Sequence, residues 1–195
     1  MAKITRVAGA AIHPWLDELA KLRIKIFREF PYLYDGDMEY ERNYLANYAE
    51  SANSLFVLAQ EGNKVIGVST GLPLSDADEE FQQPFRDRRI SPGNVFYFGE
   101  SVLEKAFRGQ GLGHCFFDER ESFAKELGYS ITAFCTVVRP LDHPLRPPGY
   151  RPMDLFWVKR GYIKYPNMVT QYSWKDIGDS AATSKSMIFW LRPGA

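Results

Sequence analysis

The stretch Arg108-Gly109-Gln110-Gly111-Leu112-Gly113 lies between a strongly apolar run, Val95 to Leu103, and an amphipathic segment from Gly111 to Leu127. Strand, glycine-rich turn and helix in that order constrain the fold more than anything else in the chain. The start of a helix leaves backbone N–H groups without intrahelical partners, and its dipole favours negative charge there. Glycines at 109, 111 and 113 let backbone approach a pyrophosphate, and Arg108 can add charge-assisted hydrogen bonds. Taken alone, the turn fits an ordinary connector equally well. It is neither a P-loop, since no Gly-Lys-Ser/Thr follows, nor the dinucleotide fingerprint, whose glycine spacing differs and which needs a leading βαβ unit.

The elements around this unit follow from hydrophobic spacing. Pro14 opens a segment in which Trp15, Leu19, Leu22, Ile26 and Phe30 recur at helical intervals, ended by Pro31. A second helix is expected from Asp37, a good N-cap, with Glu39 and Glu41 in its first turn and Tyr44 and Tyr48 one turn apart. Leu55 to Ala59 and Val65 to Val68, separated by Glu61-Gly62-Asn63, read as an antiparallel hairpin. Val95 to Leu103 reads as one long strand with a bulge at Gly99. In the following helix Leu112, Phe116, Phe123 and Leu127 share a face, and Gly128 ends it. A strand over Ile131 to Val138 follows, then a loop with Pro140, Pro144, Pro147 and Pro148. A short helix from Pro152 to Arg160 and strands over Met168 to Trp174 and Met187 to Leu191 complete a mixed α/β reading. With no internal repeat and no long linker, residues 1–195 are expected to form one domain.

Composition narrows the partners. Lysine plus arginine and aspartate plus glutamate number 24 each, so no global field draws the chain to nucleic acid or an anionic membrane. Met1 to Arg6 has neither the apolar core nor the cleavage site of a signal peptide, and no stretch suits a bilayer span, so a cytoplasmic location is expected. Cys115 and Cys135 are too far apart in sequence to suggest a zinc site and read as small core residues. His13, His114 and His143 read as structural or solvated, and no metal is expected.

The pattern Arg108-x-x-Gly111-x-Gly113 behind a strand and ahead of an amphipathic helix resembles the acyl-CoA-binding motif of the GNAT acetyltransferase superfamily. The order of elements agrees over nearly the whole chain, and Lys159-Arg160-Gly161-Tyr162 resembles that superfamily's late helix-to-strand junction. The resemblance implies a central, mostly antiparallel sheet flanked by helices, with acetyl-CoA as acyl-donor co-substrate. It implies that Val102 and Leu103 bind the pantetheine arm through their backbone, and that Arg108, Gly109, Gln110, Gly111, Leu112 and Gly113 cradle the pyrophosphate. Gly99 would permit the bulge that splays the long strand from its neighbour.

Acyl transfer to an amine needs a route for the amine proton and a donor for the leaving thiolate. Glu100, on the long strand, is the candidate base by the same resemblance; a strand-end salt bridge is its bland alternative. The tyrosine that commonly protonates the thiolate in that superfamily is replaced here by Trp157, which has no acidic proton to give, so either another group or solvent performs the step; of the nearby Tyr150 and Tyr162, Tyr150 is the candidate acid. Tyr32, Tyr34 and Asp35, in the segment joining the first two helices, are candidates for a cationic acceptor through cation–π contact and ion pairing. Asp37, Glu39 and Glu41 serve helix initiation equally well. The expected activity is N-acetylation of a small, cationic amine, with a catalytically weak CoA-binding or sensing module as the alternative. A homodimer stays open.

Overall fold

The computed structural model describes residues 2–194. Its centre is an eight-stranded sheet: β1 (Lys3–Ala8), β2 (Leu55–Glu61), β3 (Lys64–Pro73), β4 (Val95–Tyr97), β5 (Ser101–Leu103), β6 (Ile131–Val137), β7 (Ile163–Trp174) and β8 (Thr183–Pro193). The spatial order is β1-β2-β3-β4-β6-β8-β7, with β5 also paired to β3. Neighbours are antiparallel except β4 and β6. The sheet is the mixed, mostly antiparallel one expected.

Helices cover both faces. Strand β2 shows why they must: Phe56 and Leu58 join one buried cluster, while Leu55, Val57 and Ala59 join the other. Side chains alternate across a strand, so a continuous apolar run needs a cover on each side. The first cover is α1 (Leu16–Phe27), α2 (Met38–Glu50) and α3 (Glu79–Arg86); the second is α4 (Leu112–Glu126) and α5 (Asp154–Lys159). Asp37 caps α2 as expected, its carboxylate accepting from the Tyr40 N–H at 2.9 Å.

Several elements depart from the sequence reading. Strand β1, which pairs with β2 from Lys3↔Gln60 to Ala8↔Leu55, was not expected: its mixed Lys-Ile-Thr-Arg-Val-Ala sequence gives a weak period-two signal. Helix α3 sits inside the polar stretch Ser75 to Asn94, where only one narrow face, with Gln82, Pro84 and Phe85, is buried. Helix α1 ends at Phe27, three residues before the expected Phe30. Residues 28–32 form turns and a bend instead, with Tyr34 N–H closing back on the Phe27 carbonyl at 2.8 Å. Leu127 was expected on the buried face of α4 but is 40% exposed, and the face is completed by Phe117, Arg120 and Ala124. The expected strands at Met168 and Met187 begin earlier, at Ile163 and Thr183.

Candidate active site

The long strand is broken where Gly99 predicts. Pairing runs from Gly67↔Leu103 to Ser69↔Ser101, then resumes at Leu72↔Tyr97, so residues 70 and 71 of β3 face residues 98 to 100. This is a β-bulge. A Cβ at Gly99 would overlap the Tyr48 hydroxyl and lie 2.7 Å from Thr70 Oγ1, so only glycine fits without movement. Before the bulge, β4 pairs with β6 and the Phe98 N–H donates to the Ala133 carbonyl at 2.7 Å. After it, β5 pairs only with β3 among the described residues. The strands therefore diverge, leaving a wedge bordered by the backbone of Ser101 to Leu103 on one side and β6 on the other.

The glycine turn closes onto that wedge. Gly109 and Gly111 have φ of 77° and 86°, a region that L side chains rarely enter, and among the described residues nothing beyond the adjoining chain lies within 4 Å of where either Cβ would stand. Gly111 is the N-cap of α4 and no side chain caps that helix start. Gly113 lies inside α4, with its Cβ position 3.8 Å from Phe156, and Leu112 is buried beneath the turn. Gln110 Nε2 donates to the Ala106 carbonyl at 3.1 Å. Arg108 Nε donates to the Leu103 carbonyl at 3.1 Å, and its two terminal nitrogens meet Glu29 at 2.8 and 3.1 Å. Glu29, which follows α1, was not singled out in the sequence. Both partners are exposed, so this pair adds little stability but ties the turn to the loop between α1 and α2.

On the α1–α2 side of the bulge lies a cavity of about 150 Å³. Tyr32, Tyr34, Tyr40, Tyr44, Tyr48 and Tyr172 wall it together with Trp174, and Glu41, Asp76, Asp78 and Glu100 contribute carboxylates. At its base Arg23 Nη1 stands 2.5 Å from Glu100 Oε1, and Arg23 Nε is hydrogen-bonded to Glu41. Exposure is 6% for Arg23, 1% for Glu41 and 8% for Glu100, so one buried guanidinium faces two buried carboxylates. Burial works against the Arg23 charge, but Glu100 and Glu41 outweigh it and hold its pKa well above the ordinary arginine value. The guanidinium also covers the Tyr44 ring at 4.3 Å, and the Tyr44 hydroxyl donates to Glu100 Oε2 at 3.4 Å. Burial raises the Tyr44 and Tyr48 phenols, which stay protonated.

The structure brings Tyr32, Tyr34 and Glu100 together in this cavity. Asp35 does not line it and instead bridges Lys175 at 2.9 Å and Arg28 at 3.1 Å, contacts that lower its pKa. Tyr150 also lies outside the cavity, edge-on to Phe30 at 4.7 Å with Arg146 over its ring. The phenol of Tyr32, inside the cavity, is raised by burial first and then by Cys135, Glu100 and Tyr150. Trp157, half-buried, packs 5.2 Å from both Phe134 and Trp190 against the second core. Tyr162 is buried there too, its hydroxyl 3.0 Å from Thr132 Oγ1 and 3.1 Å from Glu121. Arg23 was missed by the sequence reading, although a charge on the apolar face formed by Leu19, Leu22 and Ile26 was a signal. Asp76 and Asp78 were noted only as part of a mixed-charge loop.

A bulged strand leading through a glycine turn into a helix, within this sheet order, defines the acetyltransferase fold. The model of the acetyltransferase (GNAT) family matches residues 17–146, and the chain belongs to that family. Solved structures share the fold at low identity. A ribosomal-protein-alanine N-acetyltransferase from Brucella melitensis aligns with a TM-score of 0.62 at 13% identity, covering 98% of this chain and 99% of that one. A GNAT-family acetyltransferase from Staphylococcus aureus Mu50 gives 0.60 at 15%, covering 98% and 99%. An acetyltransferase from Streptococcus agalactiae 2603 gives 0.62 at 15%, covering 98% of each chain. At such identities the likeness shows the fold alone. Comparison with curated protein sequences gives no match.

Proposed function

We propose that residues 1–195 act as one N-acetyltransferase unit that passes the acetyl group of acetyl-CoA directly to the amine of a small cationic acceptor. The observation that carries this reading is the buried Arg23, Glu41 and Glu100 cluster, which holds one more negative than positive charge at the base of a tyrosine-walled cavity. An ammonium group balances that charge and gains cation–π contact from the walls. Asp76 and Asp78 add negative charge along the same cavity.

Acetyl-CoA supplies the activated thioester. The backbone of Val102 and Leu103 at the wedge would hold its pantetheine arm, and Arg108 to Gly113 its pyrophosphate. The open Cβ positions at Gly109 and Gly111 fit that role. Glu100 faces the acceptor cavity from the residue next to β5, so it can take the proton of the acceptor ammonium beside the donor site. Tyr150 would protonate the departing thiolate. Trp157, which has no acidic proton where the superfamily commonly has a tyrosine, favours one second reading, a CoA-binding sensor without turnover. No helix of the described residues is long and apolar enough to cross a membrane, and the reading places the enzyme in the cytoplasm with small-molecule partners and no metal. Calorimetry with acetyl-CoA and thiol release against an amine panel separate the readings: binding with release marks the transferase, and binding without release marks the sensor.

A further inference from the structure

Arg120 lies in the middle of α4, among Phe116, Phe117 and Ala124 on the buried face, and is 1% exposed. A guanidinium in such a place ordinarily faces a carboxylate. Among the described residues Arg120 makes no ion pair. Its Nη1 instead donates to two carbonyls, Thr70 and Glu100, each at 3.1 Å. Its Nη2 donates to Ser101 Oγ at 2.8 Å, and Nε to Phe116 in its own helix at 3.1 Å. The rings of Phe98 and Phe117 lie 4.2 and 4.9 Å from its central carbon. Burial lowers its pKa to about 10, which still leaves it charged at neutral pH.

The two carbonyls are those that flank the bulge. Thr70 N–H donates to the Glu100 carbonyl at 3.0 Å and Gly99 N–H to the Thr70 carbonyl at 3.2 Å, so Nη1 takes a second lone pair on each. One rigid, planar fork thus spans the point where β3 shifts from pairing with β4 to pairing with β5. The same helix begins at the glycine turn. It therefore fastens three things to one frame: the turn, the residue Glu100 and the β5 edge of the wedge.

We propose that Arg120 is a positioning residue, whose buried fork holds the bulge so that Glu100 faces the acceptor cavity while Ser101 to Leu103 face the wedge. Its effect on turnover rests on the acetyl-transfer reading; its effect on the bulge does not. A misplacement of about 1 Å at a reacting group can cost about 10²-fold in rate.

The test compares Arg120→Lys, which keeps the charge but lacks the fork, with Arg120→Met and Ser101→Ala. Hydrogen exchange of the peptide covering residues 98–103 is measured on the free protein, alongside acetyl-CoA affinity and kcat per folded molecule. Arg120→Lys should speed exchange there at least about tenfold and lower kcat by about 10²-fold, with Arg120→Met worse and Ser101→Ala milder in the same direction. Wild-type local exchange and kcat in Arg120→Lys, with only a lower Tm, would overturn the proposal. If Arg120→Met does not fold, the lysine and Ser101 variants decide. If the wild type binds no acetyl-CoA, the transfer reading fails and exchange alone decides the role of Arg120.

Discussion

Arg23 Nη1 and Glu100 Oε1 lie 2.5 Å apart beneath the tyrosine cavity, and the same guanidinium is bonded to Glu41 on α2. This pairing joins α1, α2 and the bulged strand through three nearly inaccessible side chains. Arg23→Met would leave two carboxylates buried without their cation. Such a change should destabilise the fold by about 3–5 kcal/mol, read as a lower urea midpoint. A loss under about 1 kcal/mol would mean that water or rearrangement already compensates the carboxylates.

The glycine turn makes a separate prediction. Gly111 adopts φ of 86° at the start of α4, with open space around its Cβ position. Gly111→Val should force the turn into another conformation and weaken acetyl-CoA binding at least about 10²-fold, with α4 and the sheet retained by circular dichroism. Unchanged affinity in a folded variant would remove the turn from the cofactor site.

Much of this was legible in the sequence, for identifiable reasons. The hairpin of β2 and β3, the Asp37 cap, the bulge at Gly99 and the turn ahead of α4 each rest on local rules of periodicity, capping and glycine conformation. Strand β1 and helix α3 were not legible, because their polar faces dominate and only pairing with β2 or packing against the sheet reveals the buried side. The site was legible only where chain neighbours supply it. Glu100 and the turn are consecutive features of one segment, whereas Arg23, Glu41 and Asp76 join Glu100 around one cavity through tertiary packing. Arg120 carries the same lesson: on a helix face a buried arginine and an exposed one look alike until the carbonyls it serves are in place.

Proton transfer gives a third prediction. Glu100→Gln should lower the transfer rate about 10²-fold or more if the carboxylate takes the proton, with little change in acetyl-CoA affinity. Tyr150→Phe should also reduce turnover while leaving that affinity intact, because only thiolate protonation loses its donor. Trp157→Tyr should then add little, since Tyr150 already supplies the proton. A silent Tyr150→Phe would end the case for Tyr150, which stands outside the cavity.

Cys135 supplies a pH prediction. Burial pushes its thiol from an ordinary 9.0 up to about 12, against a lowering contribution from the Tyr97 hydroxyl 3.0 Å away. A group raised in the folded state favours folding fully below its unfolded pKa and loses that contribution as pH rises through the folded value. Stability should therefore fall between pH 9.0 and about 12, and less steeply in Cys135→Ala. The native protein should also resist alkylation at Cys135 at pH 8. Equal alkylation of native and unfolded protein would contradict the burial assigned to this thiol.

On the proposed reading, the net negative cluster beneath the aromatic cavity should select a cationic amine for acetylation. The most direct measurement is thiol release from acetyl-CoA against size-matched amines that differ only in a second charged group: cationic, neutral or anionic. The cationic member should have the highest kcat/KM, and the anionic member should fall below it by about tenfold or more, since like charge at a closely fitted site costs at least about 1.4 kcal/mol. Equal kcat/KM across the set, or a preference for the anionic amine, would contradict the account.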